Sequence, residues 1–422
     1  MNVAIIGSGG RENSICSALN KSKKVNKIFC IPGNGGTENI SKNLNIDINN
    51  FQEIKKVVEK NEINLLVVGP ENPLVDGIVD FFHGSDVKVF GPNKAASQLE
   101  GSKIFTKNLC KKYNIPTAKF GIFQNSAETK KFITNSNYPI VIKADGLAAG
   151  KGVYISENKK EAYRAVDEIF GGKFGEAQNI LIEEFLDGEE MSYFIVTDGK
   201  SIKPFETAQD HKRVNEGDKG QNTGGMGAYS PSRLMNKILE SKIINKIINP
   251  TIDGLKDLGI EYKGFLYAGL MIKNGEPYLI EYNVRMGDPE CQTILPKLET
   301  DLMEILLSCC NNTLDKINIK WNEKKSLSIV LCSRGYPNEY KKNIILENIQ
   351  KIKTDQYNLC YHAGTIIDKN NNILAVGGRV LNFISLANSF LEARQNIIEN
   401  IEILNWQDGF YRKDIGYKVI DE

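Results

Sequence analysis

Short apolar runs alternate with helically spaced apolar positions through the first hundred residues. Val3–Ile6, Lys27–Ile31, Leu65–Val68 and Val87–Phe90 read as strands, the last two closing on Gly69-Pro70 and Gly91-Pro92. Between them, Arg11–Lys21, Phe51–Asn61 and Leu74–Phe82 have the spacing of helices. Short apolar strands joined by amphipathic helices predict a parallel sheet with crossover helices. This α/β unit is expected over residues 1–101.

The pattern changes after Gly101. A helix over Lys103–Tyr113 stops before Pro116, and strands follow at Ile140–Lys143, Val153–Ile155, Ile180–Ile182 and Met191–Val196. Gly264–Ile272 and Pro277–Glu281 read as paired strands across the turn Lys273–Glu276. An α+β unit over residues 102–313 results. Ser326–Cys332 opens a third, small α+β unit (326–422), which ends in a helix around Leu391–Leu404. Three domains suit a chain of 422 residues.

Composition narrows the function classes. Lys+Arg total 53 against 52 for Asp+Glu, a net charge of +1, so no nucleic-acid or membrane partner is expected. No apolar run reaches the ~18 residues of a membrane helix. Met1–Gly7 reads as a first strand with no basic leader. The eight cysteines are scattered without a CxxC pair and read as reduced thiols, so the expected compartment is the cytoplasm.

Two glycine loops carry candidate chemistry. Gly7-Ser8-Gly9-Gly10-Arg11-Glu12 follows a strand and opens a helix, where a dinucleotide fingerprint would place its phosphate. Glu12 stands where the third fingerprint glycine belongs. A small anion site for a phosphosugar, with Arg11 at its mouth, is favoured over a dinucleotide site or a purely structural turn. The second loop, Asp145–Gly152, joins strand to strand, and its glycine spacing is not that of a P-loop. A glycine hairpin of this kind can close over a triphosphate and donate backbone N–H groups.

Two acidic clusters follow. Glu183–Glu190 (EEFLDGEE) reads equally as an exposed turn or as a site. Glu281–Glu290 (EYNVRMGDPE) begins on a strand, where alternate residues share a face. Glu281 and Asn283 would then offer two hard oxygens to one Mg²⁺. Arg285 is expected to continue that face beside a transferring phosphate.

Taken together, these residues resemble the phosphoribosylamine–glycine ligase family (glycinamide ribonucleotide synthetases) of the ATP-grasp superfamily. The resemblance covers nearly the whole chain: GSGGRE from Gly7, GPENPLVDGI from Gly69, FGPNKAASQLEGSK from Phe90, KADGLAAGKGV from Lys143, QDHKR from Gln209, NTGGMGAYSP from Asn222, LCSRGYP from Leu331, HAGT from His362 and GGRVL from Gly377, with both acidic clusters. It implies a Rossmann-like N-terminal domain, a central ATP-grasp domain and a small C-terminal domain. It also implies that Lys103 and Lys143 approach the ATP phosphates under a loop with Gly146, Gly150, Lys151 and Gly152. Glu183, Phe185 and Leu186 would line the adenine, Glu190 the ribose, and Glu281 and Asn283 would hold Mg²⁺ or Mn²⁺. Asp210, Lys212, Asn222, Thr223, Gly224, Gly225, Met226, Gly227 and Arg285 would frame glycine and the sugar phosphate, with Gly9, Gly10, Arg11 and Glu71 at the phosphoribosylamine end. Arg285, Lys143, Asp210 and Lys212 are the expected catalytic groups. Asn13 and Met286 depart from the family pattern at flanking positions, and His211 is expected to hydrogen-bond or lie at the surface rather than act as a base.

The implied reaction joins glycine to 5-phosphoribosylamine through a glycyl phosphate, with small molecules as the only partners and a monomer favoured. Another ATP-grasp carboxylate–amine ligase of purine biosynthesis is the alternative. No fusion to later enzymes of that pathway is expected. Because Glu12 interrupts the fingerprint, titration with NAD, NADP or FAD is expected to give no saturable binding; stoichiometric binding of any of them would overturn the phosphosugar reading.

Overall fold

The computed structural model of the chain describes residues 1–147, 152–175 and 179–420. Its first unit is a parallel sheet in the order β3-β2-β1-β4-β5, formed by β1 (Asn2–Gly7), β2 (Lys27–Pro32), β3 (Lys42–Asn43), β4 (Leu65–Val68) and β5 (Lys88–Phe90). Alternate residues of β1 enter different cores. Ala4 and Ile6 pack with Leu66 and Val68 on one face, and Val3 and Ile5 pack with Leu65 and Val67 on the other. Both faces are covered at the centre of the sheet, so Val3–Ile6 of β1 and Leu65–Val68 of β4 are apolar throughout. Each buried Ile or Leu contributes about 1.5–3 kcal/mol.

Strand order reverses between β1 and β4, which opens a crevice at their carboxyl ends. The loops Gly7–Gly10 and Gly69–Glu71 line it, and helix α1 (Gly10–Asn20) starts there. Glu12 folds back under these loops and is 2% exposed. Its Oε2 accepts the Gly9 N–H at 2.6 Å, and its Oε1 accepts from Arg11 Nε at 2.6 Å. Gly69 makes room, because a Cβ there would stand 2.0 Å from Glu12 Oε1. The helix entrance is thus capped by a carboxylate of its own.

The helix expected over Leu74–Phe82 is instead two short ones, Glu71–Asp76 and Ile78–Phe81. Gly77 separates them at φ +96°, a left-handed conformation that helical spacing does not reveal.

Two further sheets of four or more strands follow among the described residues. The smaller has four antiparallel strands in the order Phe120–Phe123, Ile180–Glu184, Ile140–Ala144, Val153–Ser156. Helices Ser126–Thr134 and Lys159–Phe170 pack on it, each started by an asparagine cap, Asn125 or Asn158. Ile133, Ile142, Ala162, Val166, Ile169 and Ile180 give this unit its own core.

The larger sheet runs Glu276–Asn283, Gly264–Lys273, Glu189–Thr197, Ile202–Asp210, Gly227–Ser230, Lys325–Ser333, Arg379–Ala387, Asn358–His362, with Gly409–Phe410 beside Lys325–Ser333. The strand that opens the C-terminal region continues it, with Ala228 opposite Ser328. The expected hairpin is present, its turn carrying Asn274 and Gly275 at positive φ. A small hairpin, Arg213–Asn215 with Lys219–Asn222, projects between the fourth and fifth strands.

Gly69→Ala is expected to expel the Glu12 carboxylate and cost about 1–3 kcal/mol. Urea unfolding would measure it; wild-type stability would show that Glu12 relocates freely.

Candidate active site

A cleft lies between the four-stranded unit and the main sheet. At its centre, the Glu183 carboxylate sits between two ammonium groups: Lys143 Nζ is 2.7 Å from Oε2 and Lys107 Nζ is 2.6 Å from Oε1. All three side chains are at least 95% buried. Burial alone would raise the Glu183 carboxyl, but Lys143 and Lys107 outweigh it and hold it below the ordinary range. Burial lowers the Lys107 ammonium, with Glu183 opposing. Lys107 also donates to Thr117 Oγ1, which donates to the Leu279 carbonyl at 2.6 Å. Lys103, one helical turn earlier, donates to the Gly146 carbonyl at 2.8 Å and has Glu281, Lys143 and Asp145 as electrostatic neighbours.

Beside this centre, Lys212 Nζ pairs with Glu190 Oε2 at 2.7 Å. Gln209 Nε2 donates to the Glu190 carbonyl at 3.0 Å and to Glu189 Oε1 at 2.8 Å. Asp210 precedes them on the floor of the cleft. Loss of water, then the nearby Glu290 and Glu190, push its carboxyl up to about 7 against the pull of Lys212. Thr223 closes the adjoining loop, its N–H and Oγ1 both donating to the Lys212 carbonyl at 2.8 and 2.9 Å.

Glu281 and Asn283 end the strand Glu276–Asn283, while Tyr282 between them packs into the core on the other side. Neither the Glu281 carboxylate nor the Asn283 carboxamide has a hydrogen bond or ion pair to another described residue. Two unengaged hard oxygens in a cleft lined with lysines suit Mg²⁺ or Mn²⁺ beside phosphate oxygens. No cluster of three or more His, Cys, Asp or Glu with metal-ligand geometry occurs among the described residues, so the pair would rely on water and ligand oxygens.

The strand stops at Asn283, and Arg285 therefore does not continue the Glu281 face as expected. It turns toward the first unit, with Nε 3.2 Å from Glu71 Oε2 and Nη2 2.7 Å from Glu100 Oε1. Glu100 Oε2 also accepts the Val284 N–H at 2.7 Å. Arg285 holds the Glu71 carboxyl down at about 2, whereas burial pushes Glu100 up to about 7. Three residues on, Asp288 Oδ2 accepts weakly from the Arg11 N–H (3.4 Å) and Oδ1 lies 3.2 Å from Arg379 Nη1. Arg379 also donates to the carbonyls of Gly224 (2.6 Å) and Asp288 (2.7 Å). One turn therefore touches α1, the 222–227 loop and the C-terminal strands.

Several expected site residues are placed differently. Glu183, expected at adenine, has both oxygens on lysines. The Gly9 N–H is taken by Glu12, and Arg11 donates inward to Glu12 and to the Met286 carbonyl (3.1 Å). Gly10 is buried against Gln292 and Asn382. Met226 is fully buried; its N–H donates to His211 and its carbonyl accepts from Val330. Gly227 belongs to a sheet strand. Gly225 packs on Pro289, and Asn222 ends the projecting hairpin. Phe185 and Leu147 are exposed apolar side chains at the cleft, with Leu186 half-buried beside them. The Gly152 carbonyl accepts the Ala144 N–H at 2.9 Å. Gly150 and Lys151 lie outside the described residues. His211 is buried, with Nδ1 3.4 Å from Asp218 and Nε2 accepting the Gly416 N–H at 3.1 Å, so both ring nitrogens are engaged.

Sequence reasoning missed Lys107, Glu100, Asp288 and Arg379. Lys107 was detectable, because it lies four residues from Lys103 on the same helix face. The other three meet their partners across 90 to 280 residues of chain, which no local pattern encodes.

Family profiles match the chain in three consecutive stretches: phosphoribosylglycinamide synthetase N domain over residues 1–100, its ATP-grasp (A) domain over 101–291 and its C domain over 326–418. The chain belongs to the phosphoribosylglycinamide synthetase family. A phosphoribosylamine–glycine ligase of Brucella melitensis is 42% identical over 422 residues, covering 100% of this chain and 99% of that protein. One from Haemophilus influenzae is 44% identical over 428 residues, with the same coverage. The crystal structure of the Thermotoga maritima phosphoribosylamine–glycine ligase superposes with a TM-score of 0.86 at 32% identity, covering 99% of this chain and 100% of that one. Family membership therefore rests on sequence and fold over the whole length.

Glu281→Gln is expected to leave the fold intact, by circular dichroism, and to lower Mg²⁺-ATP turnover roughly tenfold or more. Unchanged turnover and Mg²⁺ dependence would remove Glu281 from the site.

Proposed function

We propose that the chain joins glycine to 5-phosphoribosylamine, converting ATP to ADP and phosphate and giving glycinamide ribonucleotide in purine biosynthesis. The observation that carries this reading is the Arg285–Asp288 turn. It sets a cleft of three lysines and two unengaged oxygen donors directly beside the crevice of the parallel sheet. A ligase of this type needs both, one for a triphosphate and one for a phosphosugar. The full-length relatives named for the glycine reaction favour it over a formate- or bicarbonate-using ligase.

In this reading Lys103, Lys107 and Lys143 lie along the triphosphate, under the loop that includes Gly146, Gly150, Lys151 and Gly152. Leu147, Phe185 and Leu186 offer apolar surface to the adenine, and Glu190 receives the ribose hydroxyls. Glu281 and Asn283 would hold Mg²⁺ or Mn²⁺, which when bound neutralises phosphate oxygens. Glu71, at the mouth of the sheet crevice, would face the phosphoribosylamine, with Arg11 and the Gly9–Gly10 turn shaping the crevice from behind. The eight cysteines are all free thiols, which suits a reducing compartment such as the cytoplasm.

A carboxylate is a poor electrophile. Transfer of the γ-phosphoryl group to a glycine carboxylate oxygen supplies a leaving group, and the residues' work is to position the reactants and balance charge. Arg285, fixed by Glu71 and Glu100, presents a cation that cannot titrate to the anionic substrates. The amine of phosphoribosylamine attacks the glycyl carbon when neutral and sheds a proton as the amide forms. Asp210, with a carboxyl pushed up to about 7, is suited to accept it.

Glycine labelled with ¹⁸O in both carboxylate oxygens is expected to deliver one label to the released phosphate and keep the other in the amide carbonyl. Unlabelled phosphate, or label in AMP with release of pyrophosphate, would exclude the acyl-phosphate route.

A further inference from the structure

The hairpin that follows Lys212 is held from beneath by the C-terminal segment, some two hundred residues away. Arg412 is 1% exposed. Its Nη1 donates to the Arg213 carbonyl at 2.9 Å and to Asp218 Oδ1 at 2.8 Å; its Nε and Nη2 fork onto Asp414 at 2.8 and 2.7 Å. Asp414 in turn accepts the Gly217 N–H at 2.8 Å, and Glu216 accepts the Lys413 N–H at 3.1 Å. Tyr417 donates its hydroxyl to Asp218 Oδ2 at 3.0 Å and lies against the His211 ring. His211 accepts the Gly416 N–H on Nε2 and faces Asp218 through Nδ1. That pairing fits the neutral ring, donor at Nδ1 and acceptor at Nε2.

His211 stands between Asp210 and Lys212. Every contact that fixes its ring therefore fixes the backbone from which those two side chains enter the cleft. The hairpin is two short strands with few apolar contacts, and such an element has little stability of its own. A buried arginine satisfied on all sides is a specific fastening, since Arg412 reaches two carboxylates and a backbone carbonyl at once.

We propose that the segment Arg412–Lys418 is a positioning latch for the active cleft, clasping His211 and Asp218 so that Lys212 stays directed at Glu190. Arg412, His211 and Tyr417 are positioning residues; they touch neither the lysine centre nor the Glu281–Asn283 pair. The inference rests on the proposed function's assignment of Glu190, the partner of Lys212, to the ribose of ATP.

Three variants test it together. Lys212→Met measures the cleft residue itself and is expected to lower kcat/KM for ATP about tenfold or more, with KM for phosphoribosylamine within twofold. Arg412→Lys keeps the charge but loses the fork and is expected to lower the same parameter about fivefold. Tyr417→Phe removes one hydroxyl at a half-exposed ring, with little risk to the fold, and is expected to give the same selectivity at about twofold. In both latch variants the Gly217 and Gly416 amides should exchange hydrogen faster than in the wild type. A purely structural segment would instead reduce the amount of active enzyme, lowering apparent kcat with every KM unchanged. That outcome, or unchanged ATP kinetics in Tyr417→Phe despite faster amide exchange, overturns the latch. Unchanged ATP kinetics in Lys212→Met overturns the cleft assignment instead.

Discussion

The fold turns on Arg285 and the four residues after it. A guanidinium held between Glu71 and Glu100, followed by a carboxylate between Arg11 and Arg379, ties one short turn to the parallel sheet and to the C-terminal strands at once. Breaking one partner of such a buried pair costs far more than the pair itself contributes to stability, because it leaves an uncompensated charge. The turn therefore specifies an arrangement more than it strengthens one. It fixes how far the sheet crevice stands from the Glu281–Asn283 pair, and a ligase that must bring a nucleotide and a phosphosugar to one carboxylate depends on that separation.

A second charge arrangement lies within the cleft. Glu183 keeps Lys107 and Lys143 together before any phosphate arrives. Two adjacent buried ammonium groups would repel each other; the carboxylate between them offsets that repulsion and opposes the burial that lowers Lys107. In the proposed function the groups that would meet a polyanion are thus assembled in advance, leaving less reorganisation for the moment of reaction.

Much of this was legible in the sequence, and the reasons differ by region. β1, β2, β4 and β5 were visible because both faces of a parallel sheet are buried and each strand becomes an apolar run; the two-residue polar edge strand β3, Lys42–Asn43, has no such run and was missed. Glu281 and Asn283 were visible because a strand sorts alternate residues to opposite faces. The same rule misplaced Arg285, since periodicity does not say where a strand ends. Ile202–Asp210, the Arg213–Asn222 hairpin and Gly227–Ser230 carry polar, glycine-rich sequence where the cleft is built, and no hydrophobic rhythm marks them. Glu12 could be read as a missing glycine, but not as the cap it forms with Gly9 and Arg11. That requires knowing that Gly69, fifty-seven residues later, leaves the space.

The four-stranded unit keeps its own core, closed by helices Ser126–Thr134 and Lys159–Phe170, and shares none of its buried apolar residues with the clusters of the main body. What joins it to the body across the cleft is polar: Lys107 to Glu183, Lys103 to the Gly146 carbonyl, and Ser102 to Asp145. Swinging such a unit outward would break these polar contacts without opening either core, so much of its resistance is electrostatic. Simple salt screens a pair as buried as Lys107 and Glu183 only weakly, but a polyanion can compete directly for its ammonium groups, which a hydrophobic contact would not permit. The unit is hinged by its chemistry, and the ions that fasten it shut are those a nucleotide's phosphates would compete for.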